Sequence, residues 1–247
     1  MKKKLLLTAA VVMCAVLLVV GSIAGTIAYL RAEATITNSF TYGTVKITLD
    51  ESYVNPTTGD VPVNGEPNYG LRVQGNQYKL VAGKSFVKDP VIHISSDSED
   101  SFLFVKIDMS ADLTNIQVSN ANPNNDTSKM TIAQQLEYFG WRSLQTIAGY
   151  EAATYANIYY YVGPTVAGVN PAVTTAGTVT TTDSNGIKSV VDVTVFDHFN
   201  VGSQFREADF TVAARTSFSI TAYAVQGAEI ANVKEAANVF FPLSATN

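Results

Sequence analysis

Cysteine and histidine are nearly absent from this 247-residue chain, which holds one Cys, Cys14, and two His, His93 and His198. A single Cys forms no internal disulfide, so the fold has to rest on its core. The two His lie far apart in sequence and no His-Glu-x-x-His run exists, so the usual zinc-protease signature is missing. A Gly-x-Ser-x-Gly nucleophile elbow and a phosphate-binding Gly-rich loop are missing too. Charged residues make up only 15%, and 21 acidic residues outnumber 16 basic ones. A mixed-sign, net acidic surface argues against a nucleic-acid partner.

The first segment is the most informative one present. Lys2, Lys3 and Lys4 precede an uncharged apolar run that ends on the small residues Ala24-Gly25-Thr26-Ile27-Ala28. A basic start, an apolar middle and small residues before a polar chain describe a secretory signal peptide. The expected cut follows Ala28, with Thr26 and Ala28 as the small residues and Tyr29 as the new N-terminus; a cut after Ala34 is second. An uncleaved anchor is the rival reading, since about 20 apolar residues suffice to span. Cys14 follows Met13 rather than a small residue, which argues against lipid attachment. Cleavage removes Cys14 and three lysines, leaving 13 basic against 21 acidic residues, a net charge of −8. Contact with a membrane is then expected only through the signal segment before cleavage.

From residue 29 onward the pattern is that of an all-β chain, expected as one domain over 29–247. Residues 44–49 alternate, with Val45, Ile47 and Leu49 on one face. Residues 34–40 alternate more weakly, broken by Asn38. Strands are also expected at 78–81, 87–95, 102–109, 157–162, 187–196, 216–225 and 239–243. The 102–109 run is apolar on both faces apart from Lys106, which predicts a central position. The Pro- and Gly-rich stretch 51–71 reads as loop. Ser128 is placed to cap a helix over 129–139 with Met130, Ala133, Leu136 and Phe139 on one face. A second short helix is expected within 228–238. The low-charge stretch 163–185 reads as either a long hairpin or a disordered insertion. Many strands with one or two short helices in loops predict a jelly-roll-like β-sandwich.

Three segments resemble a known family. They are Gly25-Thr26-Ile27-Ala28-Tyr29-Leu30 leading to Asn38-Ser39-Phe40-Thr41-Tyr42-Gly43-Thr44-Val45; Tyr78-Lys79-Leu80-Val81-Ala82-Gly83-Lys84 leading to Lys88-Asp89-Pro90; and Ser98-Glu99-Asp100-Ser101-Phe102-Leu103-Phe104-Val105-Lys106-Ile107. Ile220-Thr221-Ala222-Tyr223-Ala224-Val225-Gln226 adds to them. Together they resemble the TasA/camelysin family of exported Gram-positive proteins with a SipW-type signal peptide. The resemblance implies a SipW-like signal peptidase, a jelly-roll sandwich and a secreted structural role in biofilm matrix or at the cell surface. It also implies self-association into fibres, or association with related matrix subunits, through a donated N-terminal strand. That strand would be residues 29–40, with Tyr29, Leu30, Ala34, Ile36 and Phe40 as its matching positions. β-Augmentation supplies the physical basis, because an extended peptide satisfies an open sheet edge through its main chain. Such head-to-tail contacts do not close, so they build filaments. The other reading of residues 34–40 is an ordinary first strand of the chain's own sheet.

Two further functions remain open at this point: a surface adhesin or binding module held by an uncleaved N-terminal helix, and a camelysin-like metalloprotease. For the latter, His93, His198 and an acid such as Asp197 are the residues to test, although a strand His is more often structural. No catalytic residue, cofactor or metal is assigned. Asp97, Glu99 and Asp100 form an acidic turn without the spacing of an EF-hand loop, so a solvated turn is expected rather than calcium; Asn124-Asn125-Asp126 reads the same way. Tyr159-Tyr160-Tyr161 and Trp141 are expected to pack a core rather than stack on sugars. The final residues carry no sortase-type motif, so covalent wall anchoring is not expected.

Overall fold

The computed structural model describes residues 31–35, 38–40, 45–118, 124–164, 166–205 and 218–243. The signal segment with Thr26, Ala28, Tyr29 and Leu30, and also Ile36, lie outside the described residues. Strands dominate. A six-stranded antiparallel sheet holds β1 (Arg31–Thr35), β2 (Asn38–Phe40), β7 (Ser101–Met109), β8 (Trp141–Ser143), β9 (Ile158–Tyr161) and β12 (Phe218–Gln226), in the order β2-β1-β12-β7-β9-β8. A four-stranded sheet holds β3 (Ile47–Ser52), β4 (Arg72–Val73), β6 (Val91–Ile94) and β10 (Val191–Thr194), in the order β10-β6-β3-β4. β5 (Ser85–Val87) pairs with β11 (His198–Asn200).

Alternation in the strands puts the two larger sheets on either side of one core. Ile47, Leu49, Ile92, Ile94 and Val193 from the smaller sheet pack with Leu103, Val105, Ile107, Ile220, Ala222 and Ala224 from the larger. The intervening residues of β7 and β12 turn the other way. There Phe102, Phe104 and Val225 meet Leu144, Tyr150 and the helix α3 (Val233–Phe240) through Ala236 and Ala237. The larger sheet is therefore covered on both faces, and β7 reads apolar throughout because it is buried twice. Its register with β12 runs over nine pairs, from Phe218 opposite Met109 to Gln226 opposite Ser101.

Several expectations change at the level of elements. Residues 78–81 form no strand; Tyr78 instead donates its hydroxyl to the Val87 carbonyl at 3.0 Å and packs edge-on against Phe86. The expected strand 87–95 is interrupted at Lys88-Asp89-Pro90, so β5 and β6 belong to different sheets. Residues 239–243 are not a strand. Val239 and Phe240 finish α3, and Phe241 then packs its ring 6.0 Å from Phe104.

The helix expected over 129–139 is shorter, and of its expected buried face Met130, Leu136 and Phe139 are buried. Asp126 caps a separate 3-10 turn over Thr127–Lys129, and Thr131 caps α2 (Ile132–Tyr138; a five-residue α1, Ala111–Asn115, precedes it) through a reciprocal capping box with Gln134. Starting at 132 brings Ile132, Gln135 and Leu136 to the core and leaves Ala133 exposed.

The 163–185 stretch is neither a long hairpin nor loose. Thr178, Val179 and Thr181 are buried, and Val179 exchanges backbone hydrogen bonds with Ser101 at 3.0 and 2.8 Å. Asn170 uses its side chain like a strand residue, accepting from Thr194 N and donating to Thr194 O, both at 2.8 Å. Gly140 (φ +96°) permits the fit: a Cβ there would lie 2.3 Å from the Gly163 carbonyl carbon. Trp141 and Tyr161 are buried with rings 5.1 Å apart, and the indole N–H donates to the Thr194 carbonyl at 3.0 Å.

Candidate functional site

The N-terminal segment sits at an edge of the larger sheet. β1 runs antiparallel to β12, with Arg31 opposite Val225, Ala34 opposite Ala222 and Thr35 opposite Thr221. β2 then lies outside β1, with Glu33 opposite Phe40 and Ala34 opposite Ser39. Residues 31–35 and 38–40 are thus two paired strands. Both belong to the chain's own sheet. β12 has β7 on its other side, so among the described residues β1 occupies the other edge of β12.

The outward face of the smaller sheet carries a charged row across all four strands. His93 on β6 contacts Asp192 of β10 through Nδ1 at 2.6 Å and Asp50 of β3 through Nε2 at 2.9 Å. Asp50 also pairs with Arg72 of β4, whose guanidinium reaches the Asp89 carbonyl at 3.2 Å. Asp89 accepts from Ser52 N at 2.8 Å and Ser52 Oγ at 2.7 Å. Partial burial alone would lower the His93 pKa, but hydrogen bonds and charge from Asp50 and Asp192 outweigh it and raise the value.

His198 belongs to a different sheet and a different partner set. Its Nδ1 lies 2.7 Å from Asp197 Oδ1, while Asp197 Oδ2 accepts from the Thr127 hydroxyl at 2.9 Å. The structure does not bring His93 and His198 together. Among the described residues no group of three or more His, Cys, Asp or Glu is arranged to hold a metal ion.

Gln135, which the sequence reading passed over, fastens this region. Its fully buried carboxamide accepts from Asp197 N at 3.1 Å and His198 N at 2.9 Å, and donates to the His198 and Met130 carbonyls.

The acidic turn is dispersed. Asp97 is drawn to Lys46 and Ser95, and the hydrogen bond from Lys46 leads in holding its carboxyl below the usual range. Glu99 faces Lys188 at 3.9 Å, and the Asp100 carbonyl accepts from Gly227 N at 2.7 Å. A cleft of about 540 Å³ lies beside Glu99 and Asp100, walled by Thr174, Thr178 and Gln226. Asp126 likewise turns to Lys129 and Ser128.

A second cluster that the sequence pattern does not assemble joins β3, the segment after β4 and the residues between β5 and β6. Lys88 and Glu51 are both buried, with Nζ 2.7 Å from Oε2. The ammonium also lies over the Tyr78 and Phe218 rings, at 5.6 and 4.9 Å from their centroids. Burial, then the Glu51 charge, pushes the Tyr78 phenol above its ordinary pKa. Asn76 donates to the other Glu51 oxygen at 3.0 Å and to the Ser52 carbonyl at 2.8 Å, and accepts from Val54 N at 2.8 Å. The sequence signal was the Tyr78 and Lys88-Asp89-Pro90 segment itself, which is polar yet embedded between strands.

No family model, curated protein or solved structure matches this chain.

Proposed function

We propose that the protein is an exported structural subunit of an extracellular matrix, of the TasA/camelysin kind, which joins or forms fibres by giving its N-terminal strand to a neighbour. The observation that carries this reading is the position of β1. It lies at the chain's beginning, directly after the expected cleavage site, and pairs with the edge of β12 along five residues. A strand at the chain's end that fills a sheet edge is geometrically free to fill the same edge of another copy. The packing of two antiparallel sheets around one core supports a jelly-roll as the finer description of the fold. A SipW-like peptidase cutting after Ala28 would release Tyr29 and the strand, which makes cleavage the activating step. The partners are then further copies of this chain or related matrix subunits, and the site of action is the extracellular matrix or cell surface.

The test is deletion of residues 29–40 from the processed protein, followed by electron microscopy. A folded monomer without filaments is expected. Filaments in normal yield from the truncated chain would refute strand donation.

A further inference from the structure

Glu51, Asn76 and Lys88 have a geometry that salt-bridge stabilisation does not require. One carboxylate touches both the amine of Lys88, at 2.7 Å, and the amide nitrogen of Asn76, at 3.0 Å. The Asn76 carbonyl oxygen receives the Val54 N–H at 2.8 Å. Lys88 is 6% exposed and Glu51 3%, with the Tyr78 and Phe218 rings closing over the amine. Among the described residues Lys88 is the one buried lysine. A buried amine and a shared buried acid–base group, beside a half-buried carboxamide with a donor on its carbonyl oxygen, are the components of acyl transfer.

We propose that Lys88 and Asn76 become joined by an intramolecular amide bond, with Glu51 as the proton carrier. Lys88 first passes a proton to Glu51 Oε2, which replaces two buried charges with two neutral groups. The free Nζ attacks Asn76 Cγ, forming the new C–N bond. Negative charge moves to Oδ1, where the Val54 N–H receives it. Glu51 delivers its proton to Nδ2, and the Cγ–Nδ2 bond breaks as the carbonyl re-forms, releasing ammonia. Glu51 then relays the remaining excess proton from Nζ to that ammonia, which departs as ammonium. The charge that Lys88 carried leaves with it, Glu51 is again a carboxylate, and nothing is oxidised or reduced. The bond ties the segment after β4 to the entry of β6, a covalent clamp in a chain whose only Cys is Cys14.

The experiment is mass spectrometry of the purified, folded protein after trypsin digestion. The expected product is a branched species joining residues 73–79 to residues 85–106 through Asn76 and Lys88, uncut after Lys88 and lighter by one ammonia. Glu51→Gln should abolish that species and return residues 73–79, 85–88 and 89–106 as linear peptides at full mass. Asn64-Gly65 and Asn185-Gly186 can lose ammonia by succinimide formation, so location of the loss by fragmentation is part of the readout. Recovery of the linear peptides 73–79, 85–88 and 89–106 at full mass from the folded wild-type chain would overturn the proposal, as would an ammonia loss confined to the Asn-Gly sites.

Discussion

At the scale of single residues, polar side chains tie together segments that are distant in sequence. His93 bridges two carboxylates on neighbouring strands, and its pKa is raised. A group raised on folding stabilises most fully below its unfolded pKa, about 6.5, and loses that contribution as pH rises through its folded value. The melting temperature of wild type relative to His93→Gln should therefore fall as pH is raised from about 5.5 to about 9. A difference independent of pH would mean that His93 is not charged in the fold. Asp50, Asp192, Arg72 and Asp89 all lie along the row, so the same scan on Asp192→Asn should show a smaller slope.

Gln135 gives a sharper case. Gln135→Leu leaves the Asp197 and His198 amides without their buried acceptor, and denaturant unfolding should show a loss of about 2–3 kcal/mol. Neither role is visible in composition. A Gln in a helical stretch and a His on a strand find these partners only through contacts 43 to 99 residues apart in sequence.

Elements were legible where one periodicity held over several residues. The strands around Ile47, Phe102 and Phe218 all announce themselves by alternation or by continuous apolar character. Misreadings fall where local chemistry overrode the pattern. Residues 129–139 fit a helical period, and Met130, Leu136 and Phe139 are buried, yet Asp126 and Thr131 cap two separate turns and leave Ala133 exposed. Thr131→Ala should cost about 1 kcal/mol in a thermal or denaturant melt, through loss of the capping box. Residues 239–243 look β-forming because they are apolar and aromatic. Their contacts with Phe104 and Tyr223 are instead those of a helix end lying over the large sheet. The stretch 163–185 could not be decided from sequence because its anchors are backbone bonds to Ser101 and the Asn170 carboxamide. The Lys88 cluster was hidden for a similar reason: Glu51, Asn76 and Lys88 come from a strand, a loop and a strand junction.

For the whole molecule, the mostly antiparallel β architecture was readable, while the sequence alone left the N-terminal segment between donor and ordinary first strand. The structure pairs it within its own chain, and strand exchange is the further step that the proposed function adds. Both states use the same ladder, so they differ only in which copy supplies β1. Thr35 and Thr221 are direct partners in that ladder. Thr35→Cys combined with Thr221→Cys gives the processed chain two cysteines, and directly opposed strand residues lie within the Cα separation a disulfide needs. The measurement is a non-reducing gel of oxidised filaments beside oxidised monomer. Strand donation predicts covalent multimers from the filaments and single chains from the monomer. Filaments that yield only single, internally bridged chains would contradict it.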